Sequence, residues 1–148
     1  MNKRFNIAET APEAYKAMYA LSNVIASSGL SKTHQELLKI RASQINGCAF
    51  CLDMHTRDAL KLGETQQRIF LLDAWRETEL YTAEERIVLA IAEEVTHIGE
   101  KGLSEETYTN AVAIFDEHYV AMLIMAAVTI NAWNRIAIST HLPVPMAT

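Results

Sequence analysis

Cysteine, proline and glycine are all scarce in this 148-residue chain, which has 2 Cys, 3 Pro and 5 Gly. Two cysteines exclude a secreted scaffold that is held together by many disulfides. With so few glycines and prolines the chain has few breaks, so we expect long regular elements. Half of the residues are apolar and 21% are charged, a balance that excludes a disordered acidic tail and a collagen-like fibre.

Basic residues are outnumbered, because 13 Lys and Arg stand against 18 Asp and Glu, for a net charge of −5. Nucleic-acid binding needs clustered Lys and Arg, so no nucleic-acid partner is predicted. Long hydrophobic runs are missing as well. The most apolar stretch, residues 119–133, is shorter than the roughly 20 residues of a membrane span and contains Asn131. It predicts a buried helix and no membrane association.

The first residues, MNKRFNIAETAPE, lack the apolar segment of a signal peptide, because Glu9 and Glu13 interrupt them. We therefore expect a cytoplasmic protein. In that reducing compartment the cysteines should be thiols, or a pair that cycles between thiol and disulfide.

Helix start and stop signals account for nearly the whole chain, and no alternating strand pattern competes with them. The clearest signal is a capping box, Thr82 to Glu85, in which the two side chains satisfy backbone N–H groups reciprocally. The predicted helices cover about residues 10–27, 31–44, 48–62, 65–74, 82–98, 104–115 and 116–139. The predicted fold class is all-α, a helical bundle that forms a single domain over residues 1–148.

The last of these helices is apolar on nearly all sides between Val120 and Ile130. A surface helix would have one polar face, so this helix should be central to the core, packed on another subunit, or both. We therefore expect a homo-oligomer. The polar residues Asn131, Asn134 and Arg135 need partners, and hydrogen bonds across a subunit contact are the favoured interpretation.

Both cysteines lie in one segment, Cys48-Ala49-Phe50-Cys51, and His55 follows four residues later. On a helix, steps of three and four residues return to the same face. The Asn46-Gly47 break places the pair near a helix N-terminus, where the dipole and free N–H groups favour a thiolate. A thiolate that attacks a peroxide becomes a sulfenic acid, which a second thiol converts to a disulfide.

The spacing leaves several questions open. The helix terminus favours Cys48 as the attacking thiol, whereas proximity to His55 favours Cys51. The cysteines could also be small core residues, or a redox sensor without turnover. A structural zinc site is the main alternative, with Cys48, Cys51, His55 and either His34 or Glu36 as ligands. Zinc sites usually use two ligand pairs, however, and there is no second cysteine pair.

The segment from Glu36 through Cys48-Ala49-Phe50-Cys51 to His55 resembles the signature of the AhpD-like alkylhydroperoxidases, in the carboxymuconolactone decarboxylase superfamily. Asn131-Ala132-Trp133-Asn134-Arg135 also resembles that family. The resemblance implies an all-α trimer or hexamer with peroxidase or thiol–disulfide activity in antioxidant defence. It implies that Cys51 attacks the peroxide, that Cys48 resolves the sulfenic acid, and that Glu36 and His55 relay protons.

The resemblance also implies an organic hydroperoxide as substrate and a dithiol electron donor, either a lipoyl-type or a thioredoxin-like protein. No cofactor and no metal are predicted. The best-known relatives have a second relay histidine directly before the second cysteine, where this chain has Phe50. A phenyl ring cannot relay protons, so we expect a shorter relay and lower peroxidase activity. A lactone decarboxylase is the remaining alternative within the superfamily.

Overall fold

The structure is a computed structural model that describes residues 2–146, and this part of the chain contains helices and no strands. The all-α prediction is confirmed. Each predicted helix is present, although the 65–74 piece divides into α5 and a 3-10 helix, and α1 was not predicted. The helices are α1 Ile7–Thr10, α2 Pro12–Ala26, α3 Lys32–Asn46, α4 Ala49–Lys61, α5 Gln66–Leu71, a 3-10 helix Leu72–Glu77, α6 Ala83–Thr96, α7 Glu105–Ile114 and α8 Glu117–Thr140.

Local capping explains where most of these helices begin. The capping box of α6 is confirmed, because Thr82 accepts from the Glu85 backbone N–H and the Glu85 carboxylate accepts from the Thr82 N–H. The side chains of Ser104 and Asp116 cap α7 and α8 by accepting from the backbone N–H groups of Thr107 and Tyr119. Ser31 occupies the predicted N-cap position of α3, but its side chain makes no capping hydrogen bond.

Helix α3 lies at the centre of the bundle and packs on α4, α6 and α8. It contributes Leu38 to a cluster that it shares with α6 and α8, and Leu37 to a second cluster that includes Leu72 and Leu89. Because α3 is covered on several sides, even the polar residues Gln35 and Glu36 are buried on it. The central position of α3 places Glu36 inside the protein.

Helix α8 is the long apolar helix that the sequence predicted. Within residues 2–146 it is the one helix that is long and apolar enough to cross a membrane by length and hydropathy alone. In the structure it packs on α2, α3, α4, α6 and α7, as a core helix does. Its central position is confirmed, and the predicted oligomer stays a prediction.

The asparagines of α8 find their partners within the chain, so the interpretation of Asn131 and Asn134 as subunit-contact residues is wrong. The Asn46 side-chain amide donates to Asn131 Oδ1 at 2.9 Å and to Asn134 Oδ1 at 2.8 Å. Asn134 in turn donates to Ser43 Oγ at 3.0 Å. Arg135 donates to the Asn131 carbonyl one turn earlier on α8. The hydrogen bonds of Asn46 and Ser43 with these two asparagines join the end of α3 to α8.

We call the contact of Asn46 with Asn131 and Asn134 the asparagine clamp. The clamp lies directly before Gly47 and Cys48, and the Cys48 N–H donates to the Ser43 carbonyl at 3.0 Å. The turn that leads from α3 into the cysteine pair is therefore held against α8.

Replacing Asn46 by alanine should lower the free energy of unfolding by about 2 kcal/mol, because buried acceptors on α8 lose their donor. Urea unfolding followed by circular dichroism measures this change. The control is Asn23→Ala at an exposed position of α2, which should shift the free energy by less than about 0.5 kcal/mol. Equal effects of the two substitutions would contradict a role for the clamp.

Candidate active site

Cys48 and Cys51 form a disulfide in the structure, with their Cα atoms 5.4 Å apart. Both side chains are buried, with exposures of 1% and 2%. The pair therefore has the geometry that a cycling dithiol needs in its oxidised form, because the two sulfurs are bonded at the start of one helix.

The pair lies at the N-terminus of α4, as the sequence predicted. Gly47 ends α3 in the left-handed conformation, with φ of 68°, and Cys48 is the N-cap residue of α4. The Cys51 backbone N–H donates to Cys48 Sγ at 3.4 Å. Such N–H groups and the positive end of the helix dipole stabilise a thiolate once the disulfide is reduced.

Glu36 and His55 meet across the interface of α3 and α4. The His55 Nδ1 and Glu36 Oε2 atoms are 2.8 Å apart, and each residue is 8% exposed. His55 follows Cys51 by one turn of the same helix. The structure thus brings the predicted site residues together as two pairs, the Cys48–Cys51 disulfide and the Glu36–His55 hydrogen bond. Helix α4 connects the two pairs, because it carries both Cys51 and His55.

A further charged group, Lys39, which was not among the predicted site residues, completes this arrangement. Lys39 Nζ donates to Glu36 Oε1 at 2.8 Å, one turn further along α3. The sequence did contain a signal for this ion pair, because an acid and a base three residues apart on a helix are neighbours. It was ambiguous, because the same spacing is common on solvated helix faces.

The Glu36 carboxyl group remains ionised in its buried position. Burial by itself would raise its pKa, but the hydrogen bonds and charges of His55 and Lys39 outweigh burial and hold the pKa below its ordinary value. Glu36 therefore acts as a fixed negative charge that orients the imidazole of His55.

A cavity of about 320 Å³ opens beside the cysteine pair. Cys51 and His55 both line it, and Phe50 forms part of the same wall. Cys48 is not among the lining residues. The cavity thus borders one cysteine of the disulfide, Cys51, which lies one turn before His55.

The zinc alternative finds no support in this geometry. Within residues 2–146, no group of three His, Cys, Asp or Glu side chains is arranged to hold a metal ion. His34, considered above as a fourth ligand, lies half-buried with its Nδ1 2.8 Å from the Tyr119 hydroxyl. Glu36, the other candidate, is bonded to His55 and Lys39.

Comparison with known proteins agrees with the resemblance seen in the sequence. A model of the carboxymuconolactone decarboxylase family matches residues 12–94. The uncharacterized protein YdfG of Bacillus subtilis is 43% identical over 139 residues, which are 94% of this chain and 95% of YdfG. The alkyl hydroperoxide reductase AhpD of Hyphomonas neptunium is 43% identical over 47 residues, 32% of this chain and 26% of that protein.

Among solved structures, a protein of unknown function from Agrobacterium tumefaciens superimposes with a TM-score of 0.95. It is 40% identical, the match covers 99% of this chain and all of that one, and its description connects it with the antioxidant defence protein AhpD. Because the family model covers more than half of the chain and YdfG matches over nearly its full length, the chain belongs to the carboxymuconolactone decarboxylase family, as an AhpD-like member whose cysteine pair fits an antioxidant role.

Proposed function

We propose that the protein is a cysteine-dependent reductase of organic hydroperoxides. One observation carries the proposal: a cysteine of a disulfide-forming pair lines a cavity together with a histidine that a buried carboxylate orients. A structural disulfide would not need a cavity at one cysteine or a buried, paired glutamate next to it.

In the first step the Cys51 thiolate attacks the distal oxygen of the hydroperoxide, ROOH. An S–O bond forms, the O–O bond breaks, and the sulfur is oxidised to sulfenic acid while the peroxide is reduced. The alkoxide that leaves takes a proton and becomes the alcohol ROH. Cys51 is assigned this role because it lines the cavity and Cys48 does not.

In the second step the Cys48 thiolate attacks the sulfur of the Cys51 sulfenic acid. The S–S bond forms, the S–O bond breaks, and the hydroxide that leaves takes a proton and becomes water. The product is the disulfide seen in the structure. Because Cys48 is three residues from Cys51 on the same helix end, this closure competes well with over-oxidation.

A dithiol then returns two electrons by thiol–disulfide exchange and leaves as its own disulfide. The net reaction converts ROOH and a dithiol into ROH, water and a disulfide. A lipoyl-type or thioredoxin-like protein supplies this chemistry, in a homo-oligomeric enzyme of the cytoplasm without cofactor or metal.

His55 moves the protons in both steps. Glu36 accepts a hydrogen bond from His55 Nδ1, so that the other ring nitrogen, Nε2, is directed toward the cavity. Lys39 donates to Glu36 and holds the carboxylate in place. Phe50 stands where the best-known relatives have a further histidine. The relay therefore ends at His55, and the cavity gains an apolar wall beside the reactive sulfur.

Serine substitutions separate the roles of the two cysteines. With tert-butyl hydroperoxide and dihydrolipoamide, Cys51→Ser should abolish peroxide consumption. Cys48→Ser should still form a sulfenic acid on Cys51, which dimedone traps and mass spectrometry detects. Turnover of Cys51→Ser at the wild-type rate would contradict the proposal. A reversible disulfide with one equivalent of peroxide consumed and no turnover would identify a redox sensor instead.

Glu36→Gln should lower kcat/KM for hydroperoxide by about 100-fold, because a neutral amide no longer fixes and stabilises the imidazole. Initial rates of peroxide consumption measure this loss. The matched control is Glu106→Gln, at an exposed position of α7, which should keep the wild-type rate. Equal rates of the two variants would show that the carboxylate takes no part in the reaction.

Glu36 also couples stability to pH. Its pKa is lower in the folded protein than the ordinary value of about 4.3, so its contribution is present above that value and is lost as the pH falls through the folded pKa. The difference in unfolding free energy between wild type and Glu36→Gln should therefore shrink between about pH 5 and pH 3. Urea titrations at several pH values test this, and a difference that grows on acidification would contradict it.

A further inference from the structure

The cavity at Cys51 is built from parts of the chain that are far apart in sequence. Nearly all of its lining residues come from α2, α3, α4 and α8 and from the N-terminal segment, residues 3–7. The family model covers residues 12–94 and so includes α2 and α4 but neither α8 nor the first residues. The cysteine pair therefore lies inside the segment that the family model covers, whereas many of the residues that line the cavity lie outside it.

Three aromatic rings form a cluster on one side of the cavity. Tyr15 and Tyr19, one turn apart on α2, have ring centroids 5.1 Å apart, and each lies 5.4 Å from the ring of Trp133 on α8. All three contacts are edge-to-face, the geometry that aromatic rings prefer. Trp133 Nε1 donates to Ser22 Oγ at 2.9 Å, which holds the indole in position.

Hydrogen bonds of Arg4 hold the N-terminal segment, residues 3–7, against the end of α8 beside this cavity. The Arg4 N–H donates to the Thr140 carbonyl at 3.1 Å, and the Arg4 guanidinium donates to the Ser139 carbonyl at 3.0 Å. This attachment places Phe5 and Ile7 in the lining. The ring of Phe5 thus joins the cavity from a segment in which no residue is buried.

Apart from two lysines, the remaining lining is apolar or neutral, and it contains no aspartate or glutamate. Its two lysines are Lys3, at the exposed N-terminal segment, and Lys39, which is paired with Glu36. An environment of this kind favours an apolar body over a strongly hydrated or cationic one. The cavity therefore suits an organic hydroperoxide, whose substituent is apolar, better than hydrogen peroxide, which has no such substituent.

The size of the cavity supports the same conclusion. At about 320 Å³ it lies at the lower end of the range of small-molecule sites. Hydrogen peroxide would leave nearly all of it unfilled, whereas a molecule with one aromatic ring and a short branch would contact several walls. Each additional apolar contact that excludes water strengthens binding.

We propose that this cavity selects hydroperoxides that have an aromatic ring, with Tyr15, Tyr19 and Trp133 as specificity-determining residues and Cys51 in its lining. The inference rests on the proposed function and deepens it by naming the substrate class. The ring packs against the aromatic cluster and the hydroperoxide group points to Cys51, so that binding of the organic body positions the O–O bond for attack.

Binding is tested separately from turnover with an unreactive product analogue. Calorimetric titration of the oxidised protein with 2-phenyl-2-propanol should show saturable binding, and tert-butanol should bind at least tenfold more weakly. Tyr19→Ala is the main variant, because Tyr19 is 51% exposed and its truncation leaves the core intact. Tyr108→Ala on α7 is the matched control, since that tyrosine is also exposed and lies outside the cavity.

Selectivity is measured as the ratio of kcat/KM for cumene hydroperoxide to that for tert-butyl hydroperoxide. We expect a ratio well above one in the wild-type protein and a fall of about fivefold in Tyr19→Ala, the loss that removing one aromatic contact should cause. Tyr108→Ala should keep the wild-type ratio. Circular dichroism confirms that both variants are folded.

The possible results separate this inference from the proposed function. Reduction of both hydroperoxides with equal efficiency, or a ratio that Tyr19→Ala leaves unchanged, would overturn the aromatic selectivity while the reductase activity stands. Saturable binding of the aromatic alcohol without reduction of any hydroperoxide would support the aromatic site and overturn the reaction. Absence of both binding and reduction would overturn both proposals.

Discussion

The turn between α3 and α4 is the constraint on which the site depends. Gly47 adopts φ of 68°, a conformation that costs other residues roughly 1 kcal/mol, and this reverses the chain within two residues. The reversal lays α4 back along α3, so that Glu36 and His55 face each other. It also makes Cys48 the first residue of a helix N-terminus, and the asparagine clamp holds the turn against α8.

Electrostatics then gives the site its chemical character. A buried carboxylate without partners would be protonated, because burial disfavours the charged form. Glu36 avoids this outcome because His55 approaches one oxygen and Lys39 the other. Its charge is thus kept close to the cavity, where it acts on the histidine rather than on the sulfur directly. The cysteine pair has a different neighbour, the N-terminus of α4, where the Cys51 backbone N–H donates to Cys48 Sγ.

The site therefore combines two parts with different tasks. The cysteine pair, the glutamate and the histidine, which carry out the proposed reaction, belong to the segment that the family model covers. The cavity receives residues from α8 and from the first residues of the chain, which lie outside that segment. Of the three aromatic residues in the proposed selectivity, Tyr15 and Tyr19 lie on α2, inside that segment, and Trp133 lies on α8, outside it.

The sequence alone determined the helices, most of their caps and the arrangement of the cysteine pair. These features depend on contacts within about four residues, such as the capping box at Thr82 or the spacing from Cys48 to His55. The Glu36–His55 contact spans 19 residues and was expected only from the family resemblance. Tertiary structure decided the partners of Asn131 and Asn134, which lie 85 and 88 residues from Asn46, and the aromatic cavity, because no local pattern records which distant side chains will meet.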